Sequence, residues 1–298
     1  MLKDKPYLVV EVNMSGCVYD VRLNDVSLVS DERGVPVVAD IPVNPWARAG
    51  ENILSMELKP LPQGAADGVA PRCGATLKVH RSGAPAKTAQ PIASLRFSGK
   101  LQEPAEGLQE SSPAGRFADR AGFPADKEEG TVFVGEVLAT APQKGRGAVL
   151  RRGITLPVAL PRWSWLQSDL IPATSETRQE LIAEYQRIWD AANGKKVSQV
   201  LPLFAERNQE LAIAFNTTEA EMAQKLARLE KASGDPDMAL FPLEPEDSEL
   251  VVFGNGRLAK LTRWDGMPMI GFNFADDSGS ESFDIIYRKS GGKWVITR

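Results

Sequence analysis

The chain has 298 residues, 43% of them hydrophobic and 25% charged, with a formal net charge of -4 at pH 7; this is an ordinary composition for a folded protein and long enough for two hydrophobic cores. Charge is nearly balanced over residues 1–170 and acidic over residues 171–298, so neither part offers the basic footprint of a nucleic-acid partner. No apolar run approaches the roughly 18 residues of a membrane span, and the cysteines, Cys17 and Cys73, exclude a disulfide framework and a cysteine zinc site while leaving either one bridge or buried thiols.

From residue 7 to residue 161 apolar residues recur with period two, broken at intervals by turn formers. Strands are expected over residues 7–13, 17–23, 26–29, 35–41, 53–58, 76–80, 92–97, 131–138 and 148–156. Leu54, Met56 and Leu58 alternate with Ser55 and Glu57, as a half-buried antiparallel strand requires. Many short strands with no helical period between them predict a β-sandwich over residues 1–162.

Within that half, Val18-Tyr19-Asp20-Val21-Arg22-Leu23-Asn24-Asp25 is followed by Ile41-Pro42-Val43-Asn44-Pro45-Trp46 and then by Gly50-Glu51-Asn52-Ile53-Leu54. This passage resembles the galactose-binding-like jelly rolls found beside glycosidase domains. Locally, Gly50 can make the turn and Asn52 can bond the loop backbone before the chain re-enters the sheet. The resemblance implies sugar binding or the bracing of a neighbour. Trp46 with Asn44 and Arg48 is the compact candidate for a sugar platform; the other reading of Trp46 is a core or loop anchor.

Residues 99–130 lose the period and are rich in Gly, Pro, Glu and Ser, which predicts a long, mobile excursion from the sandwich. Phe117 and Phe123 are its large apolar groups, able to pin the loop to the domain or to anchor a partner. A proline-bearing connector follows, with a linker expected over residues 163–175. Trp163 and Trp165, two apart, share a side, and either fill a seam or form a binding patch.

Residues 177–192 place Leu181, Ile182, Tyr185, Ile188, Trp189 and Ala192 on one stripe, predicting a helix with Thr177 and Glu180 as its capping box. A second helix is expected over residues 197–215, with Pro202 in its first turns or kinking it, and a third after Thr218, with Glu221 completing its cap. Strands return over residues 250–253, 258–264 and 268–274, and the chain closes in a hairpin of residues 283–287 and 294–297 around Ser290-Gly291-Gly292. Helices followed by a curved sheet that ends in Gly292-Lys293-Trp294-Val295-Ile296 resemble the nuclear-transport-factor-2-like, or SnoaL-like, fold over residues 176–298. The resemblance implies a long first helix packed across a cone-shaped sheet, and says little of function because that family spans enzymes and binding modules.

Enzymatic members of that fold place ionisable groups inside the cone. The single histidine, His80, lies in the other half, so the candidates are Tyr185, Asp190, Asp265, Asp284 and Tyr287, with Tyr185 and Asp284 the pair to consider. Asp276-Asp277 with Glu281 lacks the ordered ligand spacing of a calcium loop and reads as a solvated turn. With no phosphate loop, nucleophile elbow or metal cluster in the sequence, the expectation is a non-enzymatic protein without cofactor or metal. It would bind another protein, as a bacterial adaptor or toxin-neutralising immunity protein does. A carbohydrate-binding accessory protein and a cone-pocket enzyme are the alternatives. As written, the sequence reads cytoplasmic, or periplasmic if a signal peptide has been removed.

Overall fold

A computed structural model describes residues 6–62, 70–101, 103–109, 114–117, 132–142, 146–157, 160–276 and 278–298. The chain divides into two compact, β-rich units, Met1–Arg162 and Trp163–Arg298.

The first unit is a sandwich of two antiparallel sheets. One runs in the order β4 (Val37–Pro42), β1 (Pro6–Ser15), β6 (Arg72–Arg81), β7 (Gln90–Ser98). The other runs β3 (Val26–Asp31), β2 (Val18–Leu23), β5 (Gly50–Lys59), β10 (Ala148–Leu156), β9 (Val132–Thr140), β8 (Gly115–Phe117). Every strand expected from period two is present. Leu8, Val10, Val12 and Met14 of β1, Leu54, Met56 and Leu58 of β5, and Ala75, Leu77 and Val79 of β6 point into one shared core. Each fully buried aliphatic side chain of this kind contributes roughly 1.5–3 kcal/mol. The turn from β2 to β3 is Asn24-Asp25, both at positive φ (54° and 65°), the backbone twist that matches a hairpin.

Within the expected excursion over residues 99–130, the described residues 99–101, 103–109 and 114–117 are tied to the sandwich, and the rest lie outside the described residues. Leu101 is buried, Leu108 bridges to Phe97, and β8 pairs with β9. Gly107 lies flat on the Phe97 ring, where a Cβ would fall 2.2 Å from a ring carbon, so the glycine content that reads as flexibility serves a close approach here.

The second unit contains α1 (Ser175–Asn193), α2 (Ala205–Phe215) and α3 (Glu219–Gly234), a three-stranded sheet of β11 (Met238–Leu240), β14 (Ile270–Phe274) and β15 (Ser280–Phe283), and a four-stranded sheet of β12 (Glu249–Phe253), β13 (Leu258–Thr262), β16 (Tyr287–Ser290) and β17 (Lys293–Ile296). Its core joins Leu181, Tyr185 and Ile188 of α1 and Leu226 and Leu229 of α3 to Leu261, Phe272, Tyr287 and Ile296 of the strands. Thr218 and Glu221 form the capping box of α3 as expected.

Four expectations need correction. The cap of α1 is Thr174, whose hydroxyl accepts from the Thr177 amide, so the helix starts before Thr177. The second helix starts later than expected, past Pro202: residues 197–199 and 201–204 form 3-10 turns and α2 begins at Ala205. The run from Phe283 to Tyr287 is two strands, not one; β15 pairs with β14, the chain crosses at Asp284-Ile285-Ile286, and β16 then pairs with β17 through a turn at Gly291 and Gly292 (φ 55° and 77°). Residues 163–175, expected as a linker, belong to the second unit, where the Asp169 amide donates to the Lys289 carbonyl (2.9 Å) and the Ile171 amide to the Gly256 carbonyl (2.7 Å). No helix among the described residues is long and apolar enough to cross a membrane.

Candidate functional site

Buried charge is concentrated along α2. Glu206 and Glu210, one turn apart, both face the last strands. Glu206 takes a bidentate pair from the Arg288 guanidinium, with Nη2 at 2.6 and 2.8 Å from its two carboxylate oxygens. Glu210 accepts from Arg298 Nη1 (2.7 Å) and from the Ser164 amide (2.6 Å). The Arg298 guanidinium also stands 5.8 Å from the centre of the Trp163 ring. Burial alone would raise the Glu210 carboxyl; Arg298 and the Ser164 amide outweigh it and hold it below the usual carboxylate value.

Between these two glutamates sits Arg207. Its Nη1 donates to Asn208 Oδ1 (2.9 Å), and among the described residues it has no carboxylate partner. Burial, with Arg298 adding repulsion, brings its guanidinium down to about 10. Arg207 lines a cavity of about 240 Å³ with an apolar wall of Phe204, Leu229 and Phe283 and with Lys225 at its rim. The other charges on that wall stand in ion pairs: Arg228 with Glu281 at 2.7 Å, and Asp284 with Lys260 at 2.8 Å.

Tyr185 and Asp284 do not form an acid–base pair. The Tyr185 hydroxyl is fully buried, donates to the Ile285 carbonyl (2.5 Å) and accepts from the Leu261 amide (3.3 Å). Burial drives its pKa well above the ordinary tyrosine value, with Tyr287 and then Asp284 adding to the rise. It is therefore a brace between α1, β13 and the crossing that follows β15. Tyr287 packs edge-on against it, ring centroids 5.4 Å apart, and its own hydroxyl is buried without a hydrogen-bond partner among the described residues. Asp190 accepts from Gln186 and Asp265 from the Met267 amide. The Asp276 carboxylate accepts from the Ser278 amide, Asp277 lies outside the described residues, and no cluster of three metal-binding side chains occurs among those described.

In the first unit, Asn44 is fully buried and holds strand β1 with both ends of its amide: Oδ1 accepts from the Leu8 amide and Nδ2 donates to the Pro6 carbonyl, each at 2.7 Å. Trp46 is half-buried against the core, the anchor reading, and Arg48 is half-buried with its backbone held at both ends by Asn52. Asn52 also bonds the Gly50 carbonyl and Asn24, as the turn expectation requires. Phe117 lies in β8, and Phe123 is outside the described residues. A wide polar hollow of about 640 Å³ lies over Glu11, Asn13, Arg72, Thr76 and Arg96.

Trp163 and Trp165 are 1% and 0% exposed, so neither forms a surface patch. The exposed tryptophan is one that the sequence reading placed at a strand end: Trp264, 68% exposed, stands on the turn between β13 and β14. That turn is closed by its own bonds, from the Arg263 amide to the Met267 carbonyl (2.8 Å), from the Gly266 amide to the Arg263 carbonyl (2.9 Å) and from the Met267 amide to Asp265 (3.0 Å). Arg263 is further fixed over the Phe241 ring at 5.1 Å. The available signal was Asp265-Gly266, a turn dipeptide directly after the tryptophan. No family model, curated protein or solved structure matches the chain.

Proposed function

We propose that the chain is a non-catalytic protein-binding protein of the adaptor or toxin-neutralising kind, with a jelly-roll-like first unit and a nuclear-transport-factor-2-like second unit, and that Trp264 is its principal anchor. What supports this reading is the Trp264 turn. A tryptophan is costly to leave in water, yet this one is held out by a turn that has already made its hydrogen bonds, so little conformational freedom remains to be lost when a partner covers it. Met267, 37% exposed on the same turn, extends the apolar tip.

The test is capture from native lysate on the whole chain and on its Trp264→Ala variant, with p-benzoylphenylalanine placed at position 264 as a cross-linker. The expected result is a protein held in near-stoichiometric amount, cross-linked at position 264, and bound about 30-fold more weakly by the variant, the loss typical of a hot-spot residue. Equal retention on both baits, or none on either, overturns the reading.

The cavity beside Arg207 favours a second reading, a small-molecule site in the second unit. A half-buried guanidinium with no carboxylate partner among the described residues, beside an apolar wall, suits a small carboxylate with an apolar tail. Calorimetric titration with octanoate, lost in Arg207→Met and absent for octanol, is the expected outcome; equal binding of octanol removes the role given to Arg207.

A further inference from the structure

Cys17 and Cys73 are distant in sequence but adjacent in the first unit. Cys17 follows the tight turn after β1 and leads into β2, while Cys73 lies in β6, opposite Met14 of β1. Both side chains are buried, at 0% and 5% exposure, and their sulfurs are 3.0 Å apart. Both are free thiols. The strands on either side are fixed by a continuous ladder from Ser15↔Arg72 to Pro6↔Arg81, and Gly16, at φ 73°, sets the turn that swings Cys17 inward. The backbone that carries the two sulfurs is therefore held in register.

We propose that Cys17 and Cys73 are a cross-linking site, closed to a disulfide in an oxidising compartment and open in a reducing one. A sulfur separation of about 2.05 Å is needed for the bond, so the thiols have to approach by only about 1 Å, within reach of side-chain rotation. Cys73, 5% exposed against 0% for Cys17, is the sulfur within easier reach of an oxidant and is taken as the first to attack. With glutathione disulfide as oxidant, the Cys73 thiolate attacks one glutathione sulfur, breaks the glutathione S–S bond and expels one glutathione thiolate. Cys17 then gives up its proton, attacks Cys73 Sγ and expels the second glutathione. Two protein thiols become one disulfide, and one glutathione disulfide becomes two glutathiones.

The consequence is mechanical. The bond would join the entrance of β2, in the six-stranded sheet, to β6, in the four-stranded sheet, and so staple the two layers of the sandwich across a separation of 56 residues. A loop of that length restrains the unfolded chain strongly, and the bridged form should melt higher by something on the order of 10 °C.

The experiment uses the whole chain. It is unfolded in urea with reductant, refolded in a glutathione redox couple set to oxidising or reducing poise, denatured in acid, alkylated with N-ethylmaleimide and weighed by mass spectrometry. Refolding in the couple removes any barrier that burial places before the oxidant. At oxidising poise both alkylation sites should vanish together, a Cys17–Cys73 peptide should appear on digestion, and the melting temperature should rise; a phosphine reductant should reverse all of this. Cys73→Ala should refold but show neither the bridge nor the shift. Two alkylated cysteines at oxidising poise, a glutathione adduct as end product, or a bridged form that melts no higher than the reduced one overturns the proposal.

Discussion

The two units solve the problem of buried polarity in opposite ways. Among the described residues of the first, the buried polar side chains are chiefly the amides Asn24, Asn44 and Asn52, which bond turn and strand backbone, and the buried charge, Arg152, donates to the carbonyls of Gly135 and Ser94 at 2.8 Å. In the second, ionised groups meet one another: Glu206 with Arg288, and Glu210 with Arg298. The sandwich rests on apolar alternation, and polarity there shapes turns. The helix–sheet unit carries a line of opposed charges along α2, where loss of a glutamate leaves a buried arginine, Arg288 or Arg298, without its carboxylate.

The sharpest way to break that contrast is Glu210→Ala. It leaves the Arg298 guanidinium, 5% exposed, without its carboxylate and the Ser164 amide without its acceptor. The expected cost is about 3–5 kcal/mol, read in urea unfolding followed by tryptophan fluorescence, which reports mainly the second unit because only Trp46 lies in the first. A loss below about 1 kcal/mol would mean that the pair is solvated in practice and that the two units do not differ in kind.

The counterpart in the first unit is Leu77→Ala, at the centre of β6 and 0% exposed. Truncation leaves a cavity, and the expected loss is about 2–5 kcal/mol, with no dependence on pH or salt. Calorimetry should assign this loss to a different transition from the one that Glu210→Ala moves. If both variants lower one common transition, the chain unfolds as a single cooperative body and the contrast is one of composition alone.

A pH series sharpens the comparison further. The folded Glu210 carboxyl sits below its ordinary value of 4.5, so below that pH the unfolded chain takes up its proton first, and the stabilisation from ionised Glu210 is lost as pH falls from 4.5 through the depressed folded value. Other carboxylates titrate there too, which is why the quantity to follow is the difference between the whole chain and Glu210→Gln. That difference should be full at pH 7 and narrow steadily below pH 4.5. Leu77→Ala should show a constant difference over the same range.

How far such features can be read in advance depends on where the partner lies. Strand alternation is a local signal, and it placed Leu54, Met56 and Leu58 correctly with no knowledge of the opposing sheet. The crossing at Asp284-Ile285-Ile286 was not legible because β-branched residues favour extended backbone whichever sheet they join. Here Ile285 and Ile286 are both buried, which breaks period two, and the Ile286 amide pairs with the Arg298 carbonyl rather than with β14. Glu206 and Glu210 gave no local signal because their arginines lie 82 and 88 residues further on. Arg152, by contrast, left a trace: it occupies an inward position in the alternation of β10, and a charge at such a position signals a buried partner.

The smallest expected effect on stability belongs to the residue on which the proposed function rests. Trp264 is 68% exposed, and the hydrogen bonds of its turn are made by the backbone of Arg263, Gly266 and Met267 and by Asp265. Removing its side chain should therefore change folding stability by no more than about 0.5 kcal/mol, the range of ordinary surface substitutions. Thermal melting of Trp264→Ala beside the unaltered chain checks this directly. A binding loss with an unchanged melt separates an anchor from a structural aromatic, because a tryptophan that stabilised its own turn would lose both together. A melt lowered by several degrees would place Trp264 among the packing residues of the second unit, and the charged line along α2 would then be the feature of that unit with the stronger claim to function.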